Sequence, residues 1–407
     1  DYTVCVTTSQ ATAHLESDRP YSALLVDAGV PGADRDLFAA AAARGCAAVV
    51  VDDGSARRDW ASVGARAVLP ALFDRQSLVG LLEAHALPVD ELRRPPGTAH
   101  QQPVVDDGQG GELVAVVGPA ASGTSTVARA LAQGLGARRP GAVLLADLAL
   151  HADQSMLHDT GDVIPGLQEV VDAHRHGQPG RDAIHAHTWS APHLPYQLLL
   201  GLRRHRDWAA LRSGAVEATL ASLRRCYRVV VADVSPDLEG ERETGSPDVE
   251  DRNRLARRAT ATADLVVVTG QAGTWGMHRL VRLLHDLDAH GVPATRRQVV
   301  LVGVPRRPAR RAALVDALHR LSDQADTRTA HPALRPPVFV PTRSDLEACT
   351  RDGVALPTPF VEPLTKAVEA ALLAAGDERT EPEPELGTPI RPGSLGGWWL
   401  EGEAMGA

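Results

Sequence analysis

Short apolar runs separated by helical and polar stretches recur along most of the chain. Over residues 1–88 the runs YTVCV, SALLV, AAVVV and ARAVL alternate with Ala-rich helical segments, which predicts a small parallel α/β domain built from βα repeats. The periodicity then stops. Residues 89–111 are rich in Pro, Gly, Gln and Asp and read as a linker. Over 112–376 the runs LVAVV, AVLLA, RVVVAD, DLVVVTG and QVVLVGV alternate with helical segments. Runs apolar at every position predict strands buried on both faces, and hence a doubly wound α/β domain. Residues 377–407, with EPEPELGTPIRPGSLGG, read as a disordered tail. Its Trp398, Trp399 and Leu400 are either a sticky partner motif or an irrelevant end.

Composition narrows the class. The 407 residues suggest two or three units, and 44% apolar with 23% charged residues belongs to a soluble globular protein. A net charge of −9 gives no general attraction to nucleic acid or anionic membranes, so nucleic acid is the disfavoured partner. Cys5, Cys46, Cys226 and Cys349 form no CxxC pair, and reduced thiols in a cytoplasmic protein are expected. No apolar run approaches the roughly 18 to 20 residues of a transmembrane span. The N-terminus lacks a signal-peptide pattern, although the chain starts at Asp1 and a missing leader stays open.

One turn carries chemistry. The strand Leu113 to Val117 runs into GPAASGTST, Gly118 to Thr126, and then into an amphipathic helix from Val127 to Leu135. A strand, a glycine-bounded loop and a helix start form a cradle of backbone N–H groups for phosphate. Against GxxxxGK followed by Ser or Thr, both glycines and the hydroxyl Ser125 are in place, but Thr124 stands at the lysine position. Phosphate-binding candidates are therefore Gly118, Gly123, Thr124, Ser125 and Thr126. The bland alternative is a plain glycine turn.

With its flanking motifs, the stretch from Glu112 to Gly376 resembles the MinD/ParA family of deviant Walker P-loop ATPases, and within it the CpaE/TadZ branch. AVLLADLAL resembles the family's strand ending in Asp-x-Asp, and RVVVADVSP holds Asp233 at the Walker B position. ADLVVVTGQAGTWGMHRL resembles the following strand and helix, and VFVPTRSDLEACTRDGVALP the segment near the nucleotide base. The resemblance implies ATP or ADP as ligand. It implies Mg²⁺ held by Ser125 and, partly through water, by Asp233, with Asp147 as the candidate catalytic carboxylate. The departures are specific: the family's two loop lysines are Pro119 and Thr124 here, and the second carboxylate of Asp-x-Asp is Ala149. Each missing lysine removes a charge-assisted phosphate contact of about 1.5 to 3 kcal/mol. Lys366 is the chain's one lysine, so a replacement cation must be an arginine; Arg129 is nearest in sequence.

In the first domain, SALLVDAGVPGADRDL resembles the phosphoacceptor strand and loop of receiver domains, with Asp27 as acceptor. The receivers' acidic pair is replaced by Thr7, Thr8 and Ser9, and their lysine by Leu69 before Pro70. A degenerate receiver used for docking is the expectation. The histidines His174, His176, His185, His187 and His193 match no metal-ligand spacing and read as a solvated, irregular segment. RRPARR at 306–311 and LRRHR at 202–206 read as solvated helix faces, with a patch for nucleic acid or an acidic partner as the alternative.

The expected protein is a homodimeric, nucleotide-binding localisation factor with weak or absent hydrolysis. The CpaE/TadZ resemblance implies a pilus, secretion or division machine as partner and a polar or septal position, with any membrane recruitment peripheral and through partners. The alternatives are a nucleotide-free scaffold acting through the receiver-like domain, and a ParA-like ATPase riding on DNA.

Overall fold

The computed structural model describes residues 2–92, 110–161, 165–325, 334–341 and 343–380, of which 322–325 and 376–380 by backbone alone. The Trp398–Leu400 motif and residues 93–109 lie outside the described residues. Two parallel sheets organise the chain, and the expected α/β class is present. The first sheet has the order β1 (Ala23–Asp27), β2 (Ala47–Asp52), β3 (Ala67–Pro70). Around it lie α1 (Thr8–Glu16), α2 (Arg35–Ala43) and α3 (Arg75–His85), and the short α4 (Val89–Leu92) opens the stretch read as linker. Leu37, Phe38 and Ala41 of α2 pack on Ala48 and Val50 of β2 and on Trp60.

The expected strand over YTVCV does not form. Tyr2, Val4 and Val6 are exposed, and the backbone there is committed to entering α1. Thr7 caps that helix by accepting from Gln10 N–H, and Val6 N–H donates to the Gln10 side chain. An apolar run becomes a strand only where a neighbouring ladder takes its backbone groups, and none does here.

The second sheet holds β4 (Glu112–Val117), β5 (Val143–Leu148), β6 (Gln197–Leu199), β7 (Val229–Val234), β8 (Leu265–Gln271), β9 (Arg297–Val302) and β10 (Val338–Val340). Their order is β10-β9-β8-β4-β7-β5-β6, and every pair is parallel. In chain order the accompanying helices are α5 (Thr124–Arg138), α6 (Gln154–Leu157), α7 (Leu167–His176), α8 (Arg181–His185), α9 (Ser213–Cys226), α10 (Glu241–Thr244), α11 (Pro247–Thr262), α12 (Thr274–Ala289), α13 (Pro308–Ala325), α14 (Asp345–Arg351) and α15 (Thr358–Thr380). The last of these runs past Gly376 into the stretch read as tail.

Helices on both faces account for the unbroken apolar strands. Leu113, Ala115 and Val117 of β4 join one core with residues of α9, α11 and α12, whereas Val114 and Val116 join another with residues of α5 and α15. Every one of these side chains is removed from water, and a Leu or Val so buried contributes about 1.5 to 3 kcal/mol. Gly134 lets α5 and α15 approach: a Cβ there would collide with Thr365 and Val361.

The two sheets' units touch through α2. Arg35 donates to the carbonyls of His174 (2.9 Å) and Gly177 (3.0 Å), and Asp36 accepts from Gly214 N–H at 2.8 Å. Asp34 caps α2 and also receives Arg175 at 2.7 Å. For His174 and His185 the reading of a solvated, irregular segment is corrected, whereas His193 is exposed in irregular chain as expected. Leu167, Val170, Val171 and His174 line the buried face of α7 at helical spacing. His174 Nδ1 pairs with Val170 O at 2.8 Å, and burial pushes its pKa down to about 4. His185 packs edge-on against Tyr227.

Candidate functional site

The candidate loop sits at the end of β4, between β8 and β7, at the carboxyl edge where open parallel sheets form their crevices. Gly118 is obligatory, because a Cβ would collide with the hydroxyls of Thr269, Ser122 and Thr124. Gly123 adopts φ 82°, the left-handed conformation that glycine tolerates, and α5 starts immediately after it without a side-chain cap. Ala121 also has φ 66°, a strained value for a residue with a Cβ, and its carbonyl is held by the Gln271 amide. Ser125 and Thr126 are half-buried in the first turn of α5.

Thr124 does not reach outward as a lysine would. Its Oγ1 turns back to Ser122 Oγ at 3.0 Å and Thr269 Oγ1 at 2.9 Å, and Ser122 and Thr269 close the triangle at 2.7 Å. The interior of the loop is thus lined by three neutral hydroxyls that satisfy one another. The uncapped first-turn N–H groups of α5 still match a phosphate, so nucleotide fits the backbone better than the side chains.

Asp147 and Asp233 stand one residue before the ends of β5 and β7 and are register partners. Both are buried. Asp147 Oδ2 accepts from Gln154 N–H at 2.9 Å and Oδ1 from Ala149 N–H at 3.3 Å, so this candidate catalytic carboxylate holds the turn that follows its own strand. Gly201 makes room for it, since a Cβ there would press on the Asp147 carboxyl. Asp233 Oδ2 receives the Gln154 side-chain amide at 2.7 Å, and the same nitrogen donates to Ser125 O at 3.1 Å. Burial, then the neighbouring Asp233 charge, raises the Asp147 pKa against the pull of the two N–H donors. Burial pushes Asp233 up to about 6, opposed by the Gln154 amide and the nearby Ser125 hydroxyl. The oxygens of Ser125, Asp233 and Asp147 are of the hard type Mg²⁺ takes, but the amide bonded to Asp233 fits poorly with a cation there.

Arg129 is buried on α5 and donates to Val354 O at 2.7 Å. It lies close enough to Tyr196 and His158 to influence both, whose own pair is 2.7 Å apart. It ties α5 to the segment before α15, as does Gln133, which exchanges two hydrogen bonds with Leu356. Only the Nη2 of Arg129 is engaged in this way, and its Nε and Nη1 are buried without a hydrogen-bond partner among the described residues. Asp27 ends β1 exposed, its Oδ1 accepting from Gly29 N–H at 2.8 Å. In the RRPARR group Arg306, Arg307 and Arg310 are exposed, while Arg311 lies 5.1 Å over Phe339.

The residues that sequence reasoning passed over are Ser122, Gln154 and Thr269. A polar Thr directly after the apolar run Leu265–Val268 was the available signal for Thr269. Gln154 carries none, because its partners are distant in sequence.

No family model matches the chain, and no curated protein matches it. Among solved structures it is similar to a ParA family ATPase from Chlorobium tepidum, at 13% identity over 64% of this chain and 98% of that one, TM-score 0.49. It is similar to the cell division ATPase MinD of Pyrococcus furiosus, at 14% identity over 64% and 99%, TM-score 0.47. The septum site-determining protein MinD of Pyrococcus horikoshii, solved with Mg-ADP, gives 16% identity over 66% and 96%, TM-score 0.44. Likeness at this level is one of folding pattern and assigns this chain neither ligand nor partner.

Proposed function

We propose that the chain is a nucleotide-binding localisation factor of the MinD/ParA type, with weak or absent hydrolysis, that helps place a pilus, secretion or division assembly. The observation that carries the reading is the uncapped start of α5 beneath the left-handed Gly123, with buried Asp233 tied to the Ser125 backbone through the Gln154 amide at its side. Backbone N–H groups and a helix N-terminus attract an ATP or ADP phosphate without a lysine, at the cost of affinity. The first unit, read as a degenerate receiver, serves as a docking face.

The chain is read as a homodimer through the nucleotide face, with little ATP dependence, because Pro119 sends no cation across an interface. Turnover is expected to be negligible. Pro119 and Thr124 supply no charge to a transferring phosphoryl group, and Ala149 holds no attacking water. Phosphate release is expected only after the combined Pro119→Lys, Thr124→Lys and Ala149→Asp repair.

Calorimetric titration with millimolar ATP and ADP tests the reading, with Gly123→Val as the control that blocks the loop. Weak heat lost in Gly123→Val supports it; no heat and no thermal shift defeat it. Defeat would favour the nucleotide-free scaffold, for which the closed hydroxyl triangle of Ser122, Thr124 and Thr269 already speaks. Sedimentation showing a monomer that dimerises only with ATP would remove the lysine-independent dimer.

A further inference from the structure

Gln154 opens α6 and is completely buried. Its backbone N–H holds Asp147 Oδ2 at 2.9 Å, and its Nε2 holds Asp233 Oδ2 at 2.7 Å and Ser125 O at 3.1 Å. One residue thus joins both carboxylates to the first turn of the loop helix. Its Oε1 has no hydrogen-bond partner. Reversing the amide would set that oxygen against the Asp233 carboxylate, so the two donor contacts fix its orientation.

A divalent cation of the size of Mg²⁺ needs oxygen ligands at about 2.0 to 2.1 Å in near-octahedral order, several of them waters. The Nε2 group has two protons and no lone pair to offer a metal. Asp233 Oδ2, which would orient a metal's water shell, already accepts from it. The link between the helix start and the carboxylate is therefore made by a neutral donor belonging to the chain.

We propose that the Gln154 amide stands in for the divalent cation, so that nucleotide binds the loop with an affinity independent of Mg²⁺. This deepens the nucleotide reading above and rests on it. It also places Gln154 as a positioning residue that acts through Asp233 and Ser125.

The full chain is titrated with ATP in Mg²⁺ and in EDTA, and separately with Mn²⁺ alone, followed by the loss of the free Mn²⁺ resonance signal. Equal ATP affinities, within about threefold, with no Mn²⁺ bound by the wild type, are expected. Gln154→Glu supplies a third carboxylate and should bind Mn²⁺ and melt at higher temperature in its presence; Gln154→Ala, checked for folding by circular dichroism, should gain a weaker Mn²⁺ site. Mg²⁺ tightening wild-type ATP binding by about tenfold or more, or Mn²⁺ bound by the wild type, would overturn the proposal. If ATP binds in neither buffer, the nucleotide reading falls by itself. The Mn²⁺ comparison still decides the amide's role, since failure of both variants to gain Mn²⁺ overturns it.

Discussion

Thr269→Val tests whether the hydroxyl triangle takes the place of a charged loop side chain. The change keeps the shape of a fully buried side chain and removes one hydroxyl, with its contacts of 2.7 Å to Ser122 and 2.9 Å to Thr124. Two neutral hydrogen bonds are lost, each worth about 0.5 to 1.5 kcal/mol net. Ser122 and Thr124 remain 3.0 Å apart and still satisfy each other, so no orphan is created and the cost is expected at about 1 to 2 kcal/mol. For a unit of this size that lowers the melting temperature by about 2 to 8 °C. Thr124→Val alone leaves Ser122 paired with Thr269 and should cost a similar amount. The double variant is different, because it strands the buried Ser122 hydroxyl, and an unsatisfied buried group costs a further 1 to 3 kcal/mol or so. The double variant should therefore lose more than the sum of the singles by about 1 kcal/mol, and Ser122→Ala should return that excess. Urea and thermal melts of the four proteins read the cycle. A Thr269→Val protein within about 0.5 kcal/mol of wild type, or a strictly additive double variant, would refute the triangle as a cooperative unit.

Ala121→Gly relieves a left-handed alanine and should stabilise the fold by about 0.5 to 1 kcal/mol, read by denaturant melts; destabilisation would show that the φ of 66° carries no strain. Asp34→Ala removes both the cap of α2 and the Arg175 contact, so a loss of about 1 to 3 kcal/mol and earlier proteolysis between the two units are expected. His174 has a pKa lowered from 6.5 to about 4, so the unfolded chain binds the proton first and stability falls as pH drops through that window, by up to about 3 kcal/mol. The difference between wild type and His174→Phe in melts from pH 7 to 4 isolates this contribution, and a pH-independent difference would sink it. The raised pKa of Asp233 acts oppositely: its contribution is present below about pH 4 and is lost as pH rises through about 6, so Asp233→Asn should stabilise the free protein most above pH 6. Asp147, raised by burial and by the Asp233 charge, acts in the same direction.

Much of the fold was legible because its cause is local and periodic. The apolar runs at 113–117, 142–146, 228–233, 264–270 and 298–304 announce strands buried on both faces, and the two glycines of the loop mark where backbone geometry excludes a Cβ. The missing charges at Pro119, Thr124 and Ala149 were equally plain, since they are identities of single residues. YTVCV shows the limit. Its alternation is that of a strand, but strand formation depends on a partner ladder, and Thr7 and Gln10 draw the backbone into α1 instead. His174 was misjudged for a related reason: a histidine's environment is set by what packs on it, here α7, α9 and the Arg35 contact of α2. The same holds at the site. Gln154 is seven residues from Asp147 in the chain but 79 from Asp233, and Thr124 is 145 from Thr269. Composition and periodicity describe which residues leave water together. Which buried polar atom meets which is decided by sheet order and register, because a hydrogen bond needs its partners within a few tenths of an ångström of one distance.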